Sequence, residues 1–132
     1  MSLDQATTAQ LASTLTVDLT TIGRRSKAPR TIEIWWFHID DRFIITGTRG
    51  ERDWLANIRQ DPKVVISSPH GAFKGTAIEI HDHSFRRRVF THPDLRWYTT
   101  QEELEALVIG APMIEIRFTT ADDSDPAGTP TA

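Results

Sequence analysis

The chain has 132 residues, 39% of them hydrophobic and 25% charged, ordinary values for one globular domain with a single core. A net charge of −3 supplies no global basic field for nucleic acid, and no apolar run nears the roughly 18–20 residues that cross a bilayer, so no integral membrane segment is expected. The absence of cysteine removes disulfides and thiolate chemistry, and Met1 to Gln10 lacks the basic-then-apolar pattern of a secretory signal; the expected location is cytoplasmic.

Residues 1–13 read as an N-terminal extension ahead of a domain spanning 14–120. Thr14–Ile22 alternates, with Leu15, Val17 and Leu19 on one face and Thr16, Asp18 and Thr20 on the other, the mark of a half-buried strand. Gly23 to Pro29 is a turn by composition. The next strand, Thr31–Ile39, is apolar on both faces, with Glu33 the exception, and is expected to be covered on both sides by the barrel interior and by a helix or a second subunit. The two strands make a hairpin with a basic tip. Asp40-Asp41 turns the chain into a third strand, Arg42–Thr48, and Gly47 and Gly50 lead into a short helix, Glu51–Gln60, that Asp61-Pro62 stops. Lys63–Ser68 and Phe73–Ile80 are strands joined through Pro69-His70-Gly71. Helical stretches follow over Ser84–Phe90 and Thr100–Val108, where Thr100 and Glu103 stand at capping-box spacing, with Trp97-Tyr98 between them. Pro112–Thr119 is the last strand, and residues 121–132, acidic and rich in Pro and Thr, read as a disordered tail. Together these predict a mainly β, α+β fold: a six-stranded antiparallel barrel, closed or nearly so, with two or three short helices.

The densest chemical signal is the hairpin tip. Arg24, Arg25, Lys27 and Arg30 crowd around Ser26 with no acid among them. Forked guanidinium donors and a point charge suit phosphates or carboxylates, although a merely solvated charged turn has the same composition. Thr46-Gly47-Thr48-Arg49-Gly50 then opens a helix, where glycine allows close backbone approach to a flat ring and helix-start N–H groups can meet ring oxygens or phosphates. The spacing fits neither a P-loop nor a dinucleotide fingerprint, and an ordinary strand-to-helix turn reads alike. Trp54 and Asn57, three residues apart, can face one site; Trp54 also suits the core, whereas Asn57 has no local reason to sit mid-helix. His81 and His83 share a face of extended chain without a third ligand, so no metal is expected. Arg86-Arg87-Arg88 reads as the exposed face of a helix. No nucleophile elbow and no placed carboxylate pair supports hydrolysis, and no catalytic residue stands out.

The string Leu19-Thr-Thr-Ile-Gly-Arg-Arg-Ser-Lys-Ala-Pro-Arg-Thr31, the aromatic strand after it, and Asp53-Trp-Leu-Ala-Asn-Ile-Arg-Gln-Asp-Pro62 resemble the deazaflavin (F420)-dependent nitroreductase family. These are split-β-barrel proteins related to the FMN-binding, pyridoxamine-phosphate-oxidase-like group, and the likeness runs from Asp18 to Phe118. The resemblance implies binding of reduced coenzyme F420 and hydride transfer to a small-molecule electron acceptor: a quinone, nitro compound or enone. It implies that Arg24, Arg25, Ser26, Lys27 and Arg30 hold the coenzyme's phosphate and carboxylate-rich tail. Thr46, Gly47, Thr48, Arg49 and Gly50, with Trp54 and Asn57, would lie along the ring, and Trp97 and Tyr98 would face the acceptor. Two departures stand out: Lys27 occupies a position the family keeps small, and the turn from Gly47 to Trp54 is shorter than in the best-studied branch. An FMN-binding oxidoreductase of the same barrel, or a non-catalytic module for a flavin, haem or lipid-like ligand, are the other readings. Four cations at one tip favour the long anionic tail of F420. Barrels of this group often pair, so a homodimer is expected.

Overall fold

Seven strands rather than six form one antiparallel sheet in the computed structural model, which describes residues 3–119; the tail expected over 121–132 lies outside them. The strands are β1 (Thr16–Ile22), β2 (Pro29–Trp35), β3 (Phe37–Ile39), β4 (Arg42–Thr46), β5 (Lys63–Ser68), β6 (Gly71–Glu79) and β7 (Met113–Phe118), in the order β2-β1-β5-β6-β7-β4-β3. The extra strand arises because the run expected over Thr31–Ile39 breaks at Trp36. Its first half pairs with β1 at one edge of the sheet and its second half with β4 at the other. One continuous run thus leaves one edge and enters the opposite one, which curls the sheet into a half-barrel split along a seam between β2 and β4. A run that must satisfy two partners in different directions cannot keep a single pleat, so it bends where Trp36 turns inward. Its ring is 2% exposed and stacks on Phe43 at 4.5 Å, and its indole N–H donates to the Thr14 carbonyl at 3.0 Å.

The alternation of β1 holds from Val17 onward: Val17, Leu19 and Thr21 point into the barrel, while Leu15 precedes the strand and is exposed. The expectation that Thr31–Ile39 is covered on both sides holds only beyond the break. Phe37 and Ile39 are buried, but Ile32 and Trp35 of the edge strand β2 remain 40% and 44% exposed.

Five α-helices are present among the described residues, more than the two or three expected. Helix α1 (Gln5–Ala12) was not foreseen; Asp4 caps it by accepting from the Thr7 N–H at 2.7 Å, and it delivers Leu11 to the barrel core. Helix α2 (Asp53–Gln60) closes one end of the barrel with Trp54, Leu55 and Ile58. The stretch between β6 and β7 holds α3 (His83–Thr91), α4 (Arg96–Gln101) and α5 (Leu104–Gly110), which build a second core on the outer side of β3 and β4 with Phe37, Ile39, Ile44 and Met113. Trp97 and Tyr98 therefore lie on a helix rather than between helices. Thr100 lies inside α4, its hydroxyl donating to the Trp97 carbonyl at 2.5 Å, and extended backbone at Glu102 and Glu103 delays the next helix to Leu104. No helix among the described residues is long and apolar enough to cross a membrane.

Arg86 corrects the reading of the arginine triplet. Arg87 and Arg88 are exposed and pair with Glu105 and Asp40. Arg86 falls on the inner face with Phe85, Val89 and Phe90, 5% exposed, and its guanidinium donates to the carbonyls of Val108 (2.5 Å), Ile80 (2.8 Å), Leu107 (3.4 Å) and Ala111. Among the carbonyls at the end of α5, that of Leu107 also accepts the Ala111 N–H at 3.0 Å, whereas that of Val108 faces Pro112, which has no N–H to give, and so needs a donor from elsewhere. Burial pulls the Arg86 pKa below its ordinary value, against the opposing field of Glu79.

Close strand packing makes one residue a sensitive probe of the barrel. A Cβ built at Gly75 would lie 2.8 Å from the Arg117 carbonyl oxygen and 3.3 Å from Ile116 Cγ2. Gly75→Ala is expected to destabilise the protein by about 2 kcal/mol, as overpacking against backbone does, readable as a lower urea midpoint with an unchanged slope.

Candidate functional site

The hairpin tip is pinned by its own backbone. The Gly23 N–H donates to Ala28 O at 2.8 Å and the Lys27 N–H to Gly23 O at 2.9 Å. Gly23 is closely packed, since a Cβ there would displace the Ser26 hydroxyl, 2.5 Å away, and press on the Ala28 carbonyl oxygen at 3.2 Å, and Lys27 takes the left-handed corner at φ 61°. The four cations do not converge. Arg24 folds back on α2: its backbone N–H and Nη1 donate to Asn57 Oδ1 at 3.1 and 2.9 Å, and Nη2 reaches Asp53 at 3.3 Å. Asn57, 4% exposed, donates in turn to Thr21 Oγ1 at 3.1 Å, so its amide ties helix to hairpin. Arg25 and Arg30 make no salt bridge among the described residues. They line, with Arg24, Ser26, Thr21 and Trp54, a cavity of about 610 Å³ between the hairpin and α2. Lys27 stands outside that lining.

A second cavity of about 490 Å³ opens in the seam of the barrel. Ile34 and Trp35 of β2 form one wall, and Thr46, Gly47 and Thr48 at the end of β4 form the other. Arg52 and Trp54 contribute from the start of α2, and Trp97 and Tyr98 from α4. Trp35 meets Trp97 and Tyr98 edge-on, with ring centroids 5.9 and 6.5 Å apart. Trp54 borders both cavities, so the cationic recess and the aromatic recess adjoin across it.

The turn after β4 is built around a guanidinium. Arg52 Nη2 donates to Thr48 O at 2.8 Å and Thr48 Oγ1 at 3.3 Å, and Nη1 donates to Glu51 O at 3.3 Å. A Cβ at Gly47 would lie 3.1 Å from Nη2, and one at Gly50, where φ is +134°, 3.0 Å from Nη1. Both glycines therefore make room for Arg52. Arg49 points away, its backbone N–H and Nε donating to the Glu102 carboxylate at 3.3 and 2.8 Å. Thr46 spends its hydroxyl on the Pro112 carbonyl at 2.5 Å.

Tyr98 is 5% exposed, and its hydroxyl has no hydrogen-bond partner among the described residues. Burial pushes its pKa up, only partly opposed by the charge of Arg52, so the phenol keeps its proton at neutral pH. His81 lies 4.0 Å from Glu79, and no group of three or more potential ligands among the described residues is placed to hold a metal.

Five residues lining the aromatic cavity were not expected there from the sequence: Thr16, Glu33, Ile34, Trp35 and Arg52. Glu33 broke the apolar pattern of its strand, and a strand edge lining a seam is where such an exception has a use. Arg52 carried no periodic signal. Its only hint was a pair of glycines three residues apart, read as space for a ring.

The donor set suits an elongated ligand with an anionic end and a flat end. Two unpaired arginines serve the first, and tryptophan faces with a protonated phenol serve the second.

A family model described as F420H(2)-dependent quinone reductase matches residues 2–105. No curated protein matches the chain. Solved structures share the fold at low identity. A Listeria innocua protein, provisionally described as a pyridoxamine 5′-phosphate oxidase, is 16% identical with a TM-score of 0.65, over 87% of this chain and 92% of that one. A FAD-binding protein from Mesorhizobium loti is 15% identical with a TM-score of 0.62, over 89% and 91%. An F420 reductase is 17% identical with a TM-score of 0.61, over 89% and 97%.

Proposed function

Since the chain belongs to the F420H(2)-dependent quinone reductase family, we propose that it reduces a flat quinone-type acceptor in the seam cavity, with the tail of coenzyme F420 held at the hairpin tip. The observation that carries this reading is the meeting of a cationic and an aromatic recess at Trp54. Arg25 and Arg30 would take the phosphate and carboxylates of the tail, with Arg24 beside them and Ser26 offering a hydroxyl. Trp54 and the Gly47 backbone would flank the ring. When bound, the coenzyme supplies a hydride. The protein's own part is to fix distance, present flat walls to the acceptor through Trp35, Trp97 and Tyr98, and hold a proton on the Tyr98 oxygen.

Nitro compounds and enones are flat and electron-poor as well, and they remain within this proposal as alternative acceptors. The test is parallel fluorescence titration with F420 and FMN, followed by turnover of reduced F420 with a short-chain naphthoquinone. The expected result is micromolar binding of F420, weaker binding of FMN, and quinone-dependent oxidation of the coenzyme. Preference for FMN would move the chemistry to flavin, and binding without turnover would leave a sequestering module.

A further inference from the structure

Arg52 is a cation without an acid. Glu51 and Asp53 flank it in sequence, yet it makes no salt bridge among the described residues. Its bonds to Thr48 and Glu51 leave the Nε–H and one Nη1–H without an acceptor there. The same cavity holds the Tyr98 hydroxyl, buried, protonated and unpartnered. Two donors, one of them charged, thus border a recess walled by Trp54, Trp35 and Trp97, and no acceptor among the described residues receives them.

We propose that Arg52 and Tyr98 make this recess a subsite for the oxygen anion of a planar phenolate or enolate. A partly buried guanidinium and a buried phenol stabilise negative oxygen better than fully water-exposed donors do. The aromatic walls select a flat, charge-delocalised anion over a compact one such as phosphate. The single carboxylate among the cavity's lining residues, Glu33, is exposed and accepts from Thr16 Oγ1 at 3.2 Å; its charge repels the anionic oxygen of a ligand, and Arg52 is the cation in the lining that attracts it. The consequence for turnover rests on the quinone-reductase reading. A quinone that takes up a hydride, with the family's reduced coenzyme as the hydride source and the species oxidised, carries one oxygen anion until a solvent proton completes the hydroquinone. Arg52 and Tyr98 would lower the energy of that anion as it forms.

The subsite can be tested on the protein alone, with no coenzyme present. Quenching of tryptophan fluorescence reports binding of 2-hydroxy-1,4-naphthoquinone, an anion at neutral pH, and of neutral 1,4-naphthoquinone; the chain has no cysteine for either to alkylate. The wild-type protein is expected to favour the anion. Arg52→Gln keeps an amide for Thr48 but no charge, and it should cut the anion-to-neutral affinity ratio by roughly 30-fold, the worth of a charged hydrogen bond. Tyr98→Phe should cut the same ratio by about 5-fold, the worth of a neutral one. A wild-type preference for the neutral quinone, or a ratio that Tyr98→Phe and a folded Arg52→Gln both leave unchanged, would overturn the proposal. Should Arg52→Gln fail to show a cooperative melt, the Tyr98→Phe ratio decides alone. Failure of F420 to bind leaves this measurement untouched, so the two readings fall separately.

Discussion

Reversing Arg25 and Arg30 together to glutamate is expected to weaken F420 binding by on the order of 10³-fold, since two charged hydrogen bonds are lost and two like charges put in their place. Both side chains are exposed and unpaired, so melting temperature should hold within roughly 2 °C of wild type. Arg24→Glu behaves differently. It breaks the bonds to Asn57 that join the hairpin to α2, and so it weakens the fold along with the ligand. The check is F420 titration of the double variant at two salt concentrations. Wild-type affinity should fall as salt rises, because the tip is screened within a Debye length, whereas the double variant should show little left to screen. Unchanged affinity in the double variant would remove the hairpin tip from the binding site.

The second large effect concerns stability. Arg86→Met fits the same slot but takes the guanidinium from four carbonyls; that of Leu107 keeps the Ala111 N–H, and those of Ile80, Val108 and Ala111 lose the donor Arg86 gave them. Each buried acceptor left bare costs about 1–3 kcal/mol, partly offset by sparing the burial of a charge, for a net loss of about 3 kcal/mol. For a chain of this size that is a fall of roughly 10 °C in melting temperature, measurable by circular dichroism. Arg86→Lys should recover part of it, since an ammonium can reach some of the four carbonyls. A melt within roughly 2 °C of wild type for Arg86→Met would show that solvent satisfies these carbonyls. The damage should also reach the seam cavity, because the carbonyl of Pro112, adjoining Ala111, holds the Thr46 hydroxyl.

Period-2 alternation made most strands legible, with β1, β5, β6 and β7 near the expected positions, and Gly23 and Pro29 marked the hairpin turn. The break at Trp36 was not legible, because a run apolar on both faces looks continuous whether one partner covers it or two different edges share it. Helix α1 was missed for want of an apolar stripe: only Leu11 of its eight residues is buried, and its start depends on the Asp4 cap. Arg86 was misread because composition ranks arginine as a surface residue, whereas its depth follows from the carbonyls at the end of a helix twenty residues on. In the candidate site, the basic tip stood out by residue type, whereas Trp97 and Tyr98 entered only through the family resemblance. The division of labour among the cations did not. That Arg24 braces Asn57 while Arg25 and Arg30 stay free depends on how α2 crosses the hairpin, which no local spacing encodes. Likewise, two glycines can mean room for a ligand or room for the chain's own guanidinium, and only the packing of Arg52 distinguishes them.

The position of β7 between β6 and β4 bears on how the molecule is made. A ribosome releases β4 and β6 well before Met113–Phe118, so the two strands that will clasp the last one wait with bare edges while the whole α3–α5 stretch emerges. Neither edge has another partner in the finished sheet, and open edges recruit strands from neighbouring chains. The nascent protein is thus most prone to aggregate late in synthesis, and chains cut short before Met113 should accumulate as insoluble material rather than as a smaller folded barrel.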